Sequence, residues 1–177
     1  MSMTEIDWIL KRRSIRKFTE QALTTEQITL LLEAAMAAPS ALNQRPWRFV
    51  VVQAQEQLAE LRRALPFGKM NAPCAIVVCG DLRSIRKAAL ERFWVQDCSA
   101  ATQNILLAAT GLGLGSVWCG VHPINTLEKA VRKILDIPTE VIPLNVIFVG
   151  YPAEEKPART QFSGKNVYFD KFGNSEL

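Results

Sequence analysis

Arg12, Arg13, Ser14 and Arg16 place three guanidiniums and a hydroxyl within five residues. Arginine forks donate bidentate, charge-assisted hydrogen bonds, and a serine adds a further donor, so the group matches a phosphate. The same residues also suit a solvated helix end, where cations complement the dipole. A second group lies in the segment APSALNQRPW, Ala38 to Trp47. Ser40 and Asn43 offer polar contacts there, and an amide carries both the donor and the acceptor that a pyrimidine-like ring edge requires. Serine and asparagine equally cap ordinary loops. A third group, Gly111, Gly113 and Gly115, stands after an expected helix and before an expected strand. A dinucleotide-binding turn needs the reverse order, strand then turn then helix. The glycines therefore read as a helix end and a tight turn, or as the lead into a backbone, Ser116 to Gly120, that approaches a flat ligand closely.

Other chemistries lack their residues. The chain has no GxSxG, P-loop, HExxH or kinase motif. Its one histidine, His122, precedes Pro123 and has no nucleophile pattern around it, so it reads as structural or as the wall of a substrate pocket. Four cysteines, Cys74, Cys79, Cys98 and Cys119, form no CxxC pair, and no metal site is expected. Chemistry without a strong protein acid, base or nucleophile is chemistry carried by a cofactor, so no catalytic side chain is assigned.

The 177 residues suit one domain, and 49% hydrophobic with 21% charged residues is the composition of a globular protein. No apolar run reaches the roughly 18 residues of a membrane helix. The N-terminus lacks the basic-then-apolar order of a secretory signal, and the cysteine usage fits reduced thiols in the cytoplasm. The formal charge is +4 and the pI about 9.0. Basic residues gather at Lys11 to Lys17, with smaller groups at Arg62-Arg63, Arg83 to Lys87 and Lys156 to Lys171. No long basic stripe interleaves with aromatics, so a nucleic-acid partner is not expected. An anionic small ligand is.

The elements that must position these groups are legible in outline. Thr4 is expected to cap a first helix carrying Ile6, Ile9 and Leu10 on one face. Thr24 with Gln27 forms a capping box for a second helix, with Ile28, Leu31, Leu32, Ala35 and Met36 on its apolar face and Pro39 as its stop. Buried strands are expected at 47–53, 74–79, 115–119 and 143–151. A short helix is expected at 55–65. The stretch 83–110 reads as helix broken near Phe93-Trp94, and covered on all sides after Cys98. Asn125 with Glu128 resembles another capping box. Helices alternating with about four strands give an α/β or α+β sandwich. The polar, aromatic tail 152–177 lacks a core pattern of its own and is expected to wrap its own domain or a partner.

Four segments now carry a resemblance. RRSIRKF, APSALNQRPWRF, GLGLGSVWCG and GYPAEEKPAR occur in this order and spacing, and together they closely resemble the FMN-dependent nitroreductase family, in its shorter branch, from about Ile6 to Phe172. The resemblance implies an α+β, three-layer α-β-α sandwich with a mostly antiparallel sheet. It also implies a homodimer with exchanged terminal segments and two FMN molecules at its interface. It assigns Arg12, Ser14 and Arg16 to the phosphate and ribityl region, Arg13 to the ring edge, and Arg159, with Lys156 second to it, to the phosphate from the tail. Trp118, Cys119 and Gly120 would line the ring and turn a backbone N–H toward N5. Pro39, Ser40, Ala41 and Asn43 would come from the other subunit. NADH or NADPH would be the donor, and a nitroaromatic, quinone or similar molecule the acceptor. Another flavin reaction, such as dehydrogenation or dehalogenation, or a flavin carrier or sensor without turnover, would use the same motifs. One position departs from the pattern: Arg45 stands where the family usually has Gln.

Overall fold

The computed structural model describes residues 6–86 and 88–174. Its organising element is strand β2, Cys74–Asp81, in which all eight residues are buried. Alternate side chains of a strand point to opposite faces, so a strand with no polar face demands cover on both. Cys74, Ile76 and Val78 enter one core with helices α2 (Thr25–Met36) and α4 (Trp94–Gly111). Ala75, Val77 and Cys79 enter the other with α3 (Gln55–Ala64) and α5 (Asn125–Leu135). The result is three layers, helices on both sides of one sheet.

The sheet runs β1-β2-β4-β3, where β1 is Trp47–Val52, β3 is Gly115–Gly120 and β4 is Val141–Gly150. Every neighbouring pair is antiparallel, which makes the class α+β. Trp47 pairs with Gly80, Cys74 with Val149, and Ser116 with Val149 on its other side, with one irregularity at Val78/Cys79. β1 is expected as a buried strand and is instead a half-covered edge. Only Trp47 and Val52 are buried in it, because no strand flanks its outer side.

Helix α2 starts as the sequence indicates. The Gln27 N–H donates to Thr24 Oγ1 at 3.1 Å and the Thr24 N–H to Gln27 Oε1 at 3.0 Å, a cap worth about 1 kcal/mol. Its buried residues are Ile28, Leu31 and Ala35, while Met36 stays 53% exposed. Helix α4 begins at Trp94 after short 3₁₀ turns, and Cys98, Ala101, Thr102, Ile105, Leu106 and Ala109 are buried along it. Helix α5 departs from expectation. Asn125 is its first residue, one past the N-cap Ile124, so it gives no side-chain cap, and the Glu128 carboxylate binds His122, at 2.8 Å from Nδ1.

Helix α1, Asp7–Lys11, buries no residue. Thr4, expected as its cap, lies outside the described residues, as does Lys87 of the third basic group. After α1 the chain runs beside β3. Ile15 donates its N–H to Ser116 O at 3.0 Å, and Ile15 and Phe18 sink into the α3/α5 core. Gly115 permits this approach: a Cβ there would stand 2.7 Å from Ile15 Cγ2. The tail returns along the same segment. Thr19 donates to Tyr151 O and Ala153 to Lys17 O, both at 2.9 Å.

Candidate functional site

The burial of Ile15 and Phe18 fixes where the basic run points. With those two side chains inward, Arg12, Arg13, Ser14 and Arg16 are left partly or fully exposed at the outer edge of β3. The returning tail adds its own cations. Lys156 Nζ donates to Ser14 O at 2.8 Å, Arg13 donates to Pro157 O, and the Arg159 N–H reaches Leu10 O at 3.4 Å. One carboxylate ties the two segments. Glu154 Oε1 accepts from the Arg16 N–H at 2.6 Å and the Lys17 N–H at 3.3 Å, and pairs with Lys156 at 3.0 Å. The Arg16 N–H, followed by Lys156, lowers its pKa to about 2.

Between the segments lies a cavity of about 170 Å³ lined by Arg12, Arg13, Ser14, Arg16, Lys156, Arg159 and Gln161. Five cations line it and no acid does. Such a donor set fits a phosphate dianion, which takes bidentate contacts from guanidiniums and relieves their mutual repulsion. The cavity is smaller than the ~300–1,000 Å³ of sites that enclose a whole organic ligand. It fits an anionic head group, and the rest of such a ligand must lie outside it.

The strip available to that remainder is β3. Strand alternation turns the backbone groups of Ser116, Trp118 and Gly120 away from β4, as the Ser116 carbonyl shows by accepting from Ile15. Gly120 therefore presents its N–H at the open edge, and Trp118 is 37% exposed beside it. Cys119 points the other way, into the α3/α5 core. Burial pushes its thiol up to about 11, so it is a protonated packing residue at neutral pH. Of this stretch, Trp118 and Gly120 face the strip.

Pro39, Ser40, Ala41 and Asn43 lie elsewhere, in the loop that enters β1. Leu42, Asn43 and Arg45 all hold positive φ, at 46°, 56° and 50°. Such backbone costs about 1–3 kcal/mol for a residue other than glycine and persists only where its surroundings over-determine it. Here they do. The Ala41 N–H donates to the buried Asp97 Oδ1 at 2.9 Å, the Arg45 N–H to Ser40 Oγ at 3.0 Å, and the Arg86 N–H to Gln44 Oε1 at 2.9 Å. Desolvation raises the Asp97 pKa, and the Ala41 N–H opposes the rise.

The sheet separates this loop from the cationic cavity. Three strand spacings lie between β1 and β3, and the rung at Trp47–Gly80 is six residues from the rung at Cys74 that leads to Ser116. At about 4.8 Å per strand and 3.3 Å per residue the two corners stand roughly 25 Å apart. Within one chain the two groups flank opposite corners of the sheet. The structure thus brings Arg12, Arg13, Ser14, Arg16, Lys156 and Arg159 together, sets Trp118 and Gly120 beside them, and leaves Pro39 to Asn43 apart.

His122 is committed to structure on two sides, to Glu128 and to an edge-on contact with Trp94 at 4.8 Å between centroids. Sequence reasoning missed Glu154, Gln161 and Asp97. Nothing local marks Glu154 or Asp97, whose contacts span 138 and 56 residues.

Comparison with known proteins places the chain. The model of the nitroreductase family matches residues 9–67 and 65–151. A candidate NADH dehydrogenase/NAD(P)H nitroreductase of Methanothermobacter thermautotrophicus is 45% identical over 172 residues, covering 96% of this chain and 88% of the relative. A crystal structure of a protein with the same description from Bacteroides thetaiotaomicron superposes with a TM-score of 0.89 at 38% identity, over 97% of this chain and 100% of that one. A candidate nitroreductase from Desulfovibrio desulfuricans, solved in complex with FMN, gives a TM-score of 0.81 at 30% identity, over 97% of this chain and 99% of that one.

Proposed function

The chain belongs to the nitroreductase family, and from that membership we propose that it is an FMN-dependent oxidoreductase drawing electrons from NADH or NADPH. The observation that carries this reading is the cavity of five cations at the β3 edge, whose donors suit the phosphate of FMN. Bound FMN would supply a hydride relay, through its N5, between a reduced nicotinamide and a nitroaromatic, quinone or similar electron-poor acceptor in the two halves of a ping-pong cycle.

The chain's own part is to bind, orient and polarise. Arg12, Ser14, Arg16 and Arg159 would hold the phosphate and the ribityl chain, with Lys156 beside them and Arg13 toward the ring edge. The outward N–H of Gly120 would donate to the ring, and Trp118 would line it. Fixed donors aimed at a site of growing negative charge stabilise it without reorganising. The basic surface would also draw in the anionic nicotinamide. No side chain of the protein is required as nucleophile, general acid or general base.

Pro39, Ser40, Ala41 and Asn43 would reach the ring from the partner in a homodimer. The 25 Å gap within one chain supports that division, roughly as strand spacings measure it. So do exposed Ile6, the exposed α1 residues Trp8, Ile9 and Leu10, and the tail aromatics Phe162, Phe169 and Phe172. Surfaces of this kind mark association. The tail beyond Gln161 would lie on the partner. Four free, buried thiols support a reducing compartment, the cytoplasm.

The test is the visible absorption spectrum of the purified protein, repeated after NADPH or NADH is added without oxygen. Flavin bands that bleach are expected. A colourless protein that takes up no added FMN would overturn the reading.

A further inference from the structure

Strand β4 lies in the middle of the sheet and yet contains Pro143 and Asn145. Proline has no N–H for a ladder, so inside a central strand it marks a bulge. The register breaks there: Cys79 pairs with Pro143 and Val78 with Asn145, and Leu144 is the extra residue. Its carbonyl accepts from two successive residues, Val121 and His122, each at 3.0 Å. Alternation alone would point the His122 N–H outward, with those of Trp118 and Gly120. Drawn onto Leu144 instead, it ends the outward row. The Gly120 N–H is therefore the last donor that β3 presents at the open edge.

Helix α4 fastens this bulge at two points. The Cys98 thiol donates to Cys79 O at 3.6 Å, and Asn145 Nδ2 donates to Thr102 Oγ1 at 2.9 Å. The Thr102 hydroxyl proton is committed to Cys98 O at 2.8 Å, so the amide must turn its NH2 group to Thr102. Asn145 Oδ1 is then buried without a partner among the described residues. Asn145 and Thr102 are both fully buried. An apolar pair of similar size would fill the same space without an orphaned acceptor, and such a double replacement is commonly neutral or stabilising. Fold stability therefore does not account for the amide. Its place does, because Asn145 stands directly opposite Gly120. A Cβ on Gly120 would meet nothing within 4 Å, so no packing inside the chain calls for glycine there.

We propose that Asn145 is a positioning residue: through Thr102 it holds the Leu144 bulge against α4, and so fixes the direction of the Gly120 N–H toward the flavin ring. The inference rests on the flavin reading, because that reading sets this N–H against the ring. Asn145 touches no ligand itself and acts through the Leu144 carbonyl, onto which the end of β3 is drawn. Bulges beside active sites serve to re-aim or end a strand in this way. A hydrogen-bonded amide allows few orientations, whereas an apolar side chain would let the bulge slide. Small displacements matter at such a donor, since a misplacement of about 1 Å at a reacting centre costs on the order of a hundredfold in rate.

The experiment compares Asn145→Val, Thr102→Val, the double valine variant and Thr102→Ser by nuclear magnetic resonance, flavin-free and loaded with nitrogen-labelled FMN. The Gly120 amide resonance should move by a similar amount in both single valine variants and in the double one, and the N5 resonance of the bound flavin should move with it. Thr102→Ser keeps the hydroxyl and should keep both resonances. Flavin reduction at saturating NADH or NADPH should slow about tenfold in the valine variants, with KM changed less than about twofold. The melting temperature separates positioning from mere structure. The double variant should regain the stability of the unaltered protein, as paired apolar replacements do, while its Gly120 and N5 resonances stay displaced. Resonances that return together with the stability would overturn the proposal. The flavin-free spectra keep two failures apart. An unmoved Gly120 amide in a chain that still holds FMN overturns the proposal and leaves the flavin reading standing, whereas a displaced amide in a chain that takes up no FMN upholds the tie and overturns that reading.

Discussion

At the β3 edge the protein gathers five cations around a cavity, and among the described residues one carboxylate, Glu154, pairs with one of them, Lys156. At the β1 edge it holds three non-glycine residues at positive φ and ties each side of the turn with hydrogen bonds. The first region is electrostatically unfinished and conformationally ordinary. The second is conformationally strained and fastened by hydrogen bonds within the protein. An anionic ligand would stabilise the first by supplying counter-charge, whereas the second is held by the protein's own hydrogen bonds. We propose that the cradle supplies the charge that holds the FMN phosphate and that the loop, held in shape by the protein, supplies contacts to the ring. Stripping the cradle should therefore cost ligand first, and unfastening the loop from Asp97 should cost stability first.

The largest effect belongs to the cradle. Arg12→Ala with Arg16→Ala should weaken FMN binding by about a hundredfold or more, since hydrogen bonds to charged groups contribute about 1.5–3 kcal/mol each. The apoprotein's melting temperature should hold or rise as like charges are thinned. Flavin fluorescence titration and thermal melts check the pair, and a lowered Tm with flavin retained would erase the distinction.

The reverse pattern is expected at the loop. Asp97→Ala strips the acceptor from the Ala41 N–H and should cost about 1–3 kcal/mol of stability, with a smaller loss of flavin affinity. Asp97→Asn should recover part of the stability, because its amide oxygen still accepts. Chemical denaturation of the apoproteins reads both.

Salt should divide the regions next. Exposed charges are screened within about 10 Å at 0.1 M ionic strength, so raising salt should loosen FMN several-fold. The stability of the apoprotein should change little. Titrations across ionic strength check this, and salt-independent retention would place the affinity elsewhere.

The smallest and sharpest contrast is in acid. Glu154 has a folded pKa lowered from 4.5 to about 2, so its stabilisation is complete above about pH 4.5 and is lost as pH falls toward 2. Asp97 has a folded pKa raised above 3.8. Its folded state takes up the proton first, so acidification initially favours folding at that residue. Glu154→Gln should flatten the acid loss between pH 4.5 and 2, and Asp97→Asn should remove the opposing trend. Melts across this range distinguish them.

Much of the scaffold is legible in the sequence because its causes are local. The Thr24–Gln27 capping box, the apolar run of β2 and the small, apolar α4 all act within one element. The basic run RRSIR is visible for the same reason, as a cluster of like residues. What escapes is set by distant partners. The edge position of β1 depends on which strand fails to flank it. The start of α5 is set by the Ile124 carbonyl, which accepts from Leu127 and Glu128, and Glu128 turns its carboxylate to His122. Glu154 and Asp97 look like any surface acid until the tail and α4 bring them to Arg16 and Ala41. The two groups singled out in the sequence lie at opposite corners of the sheet, a separation that only the strand order reveals.

We propose that one flavin site takes its cradle from one chain and its loop from another. The direct test is a mixed dimer. Arg12→Ala/Arg16→Ala chains and Ser40→Ala/Asn43→Ala chains, each poor in flavin alone, are unfolded together, refolded and purified by two different tags. If the account holds, one of the two sites in the mixed dimer is intact in both its parts and binds FMN with the unaltered affinity, at half the normal stoichiometry. A mixed dimer as poor in flavin as its parents would contradict it, and would mean that cradle and loop act within a single chain or not at all.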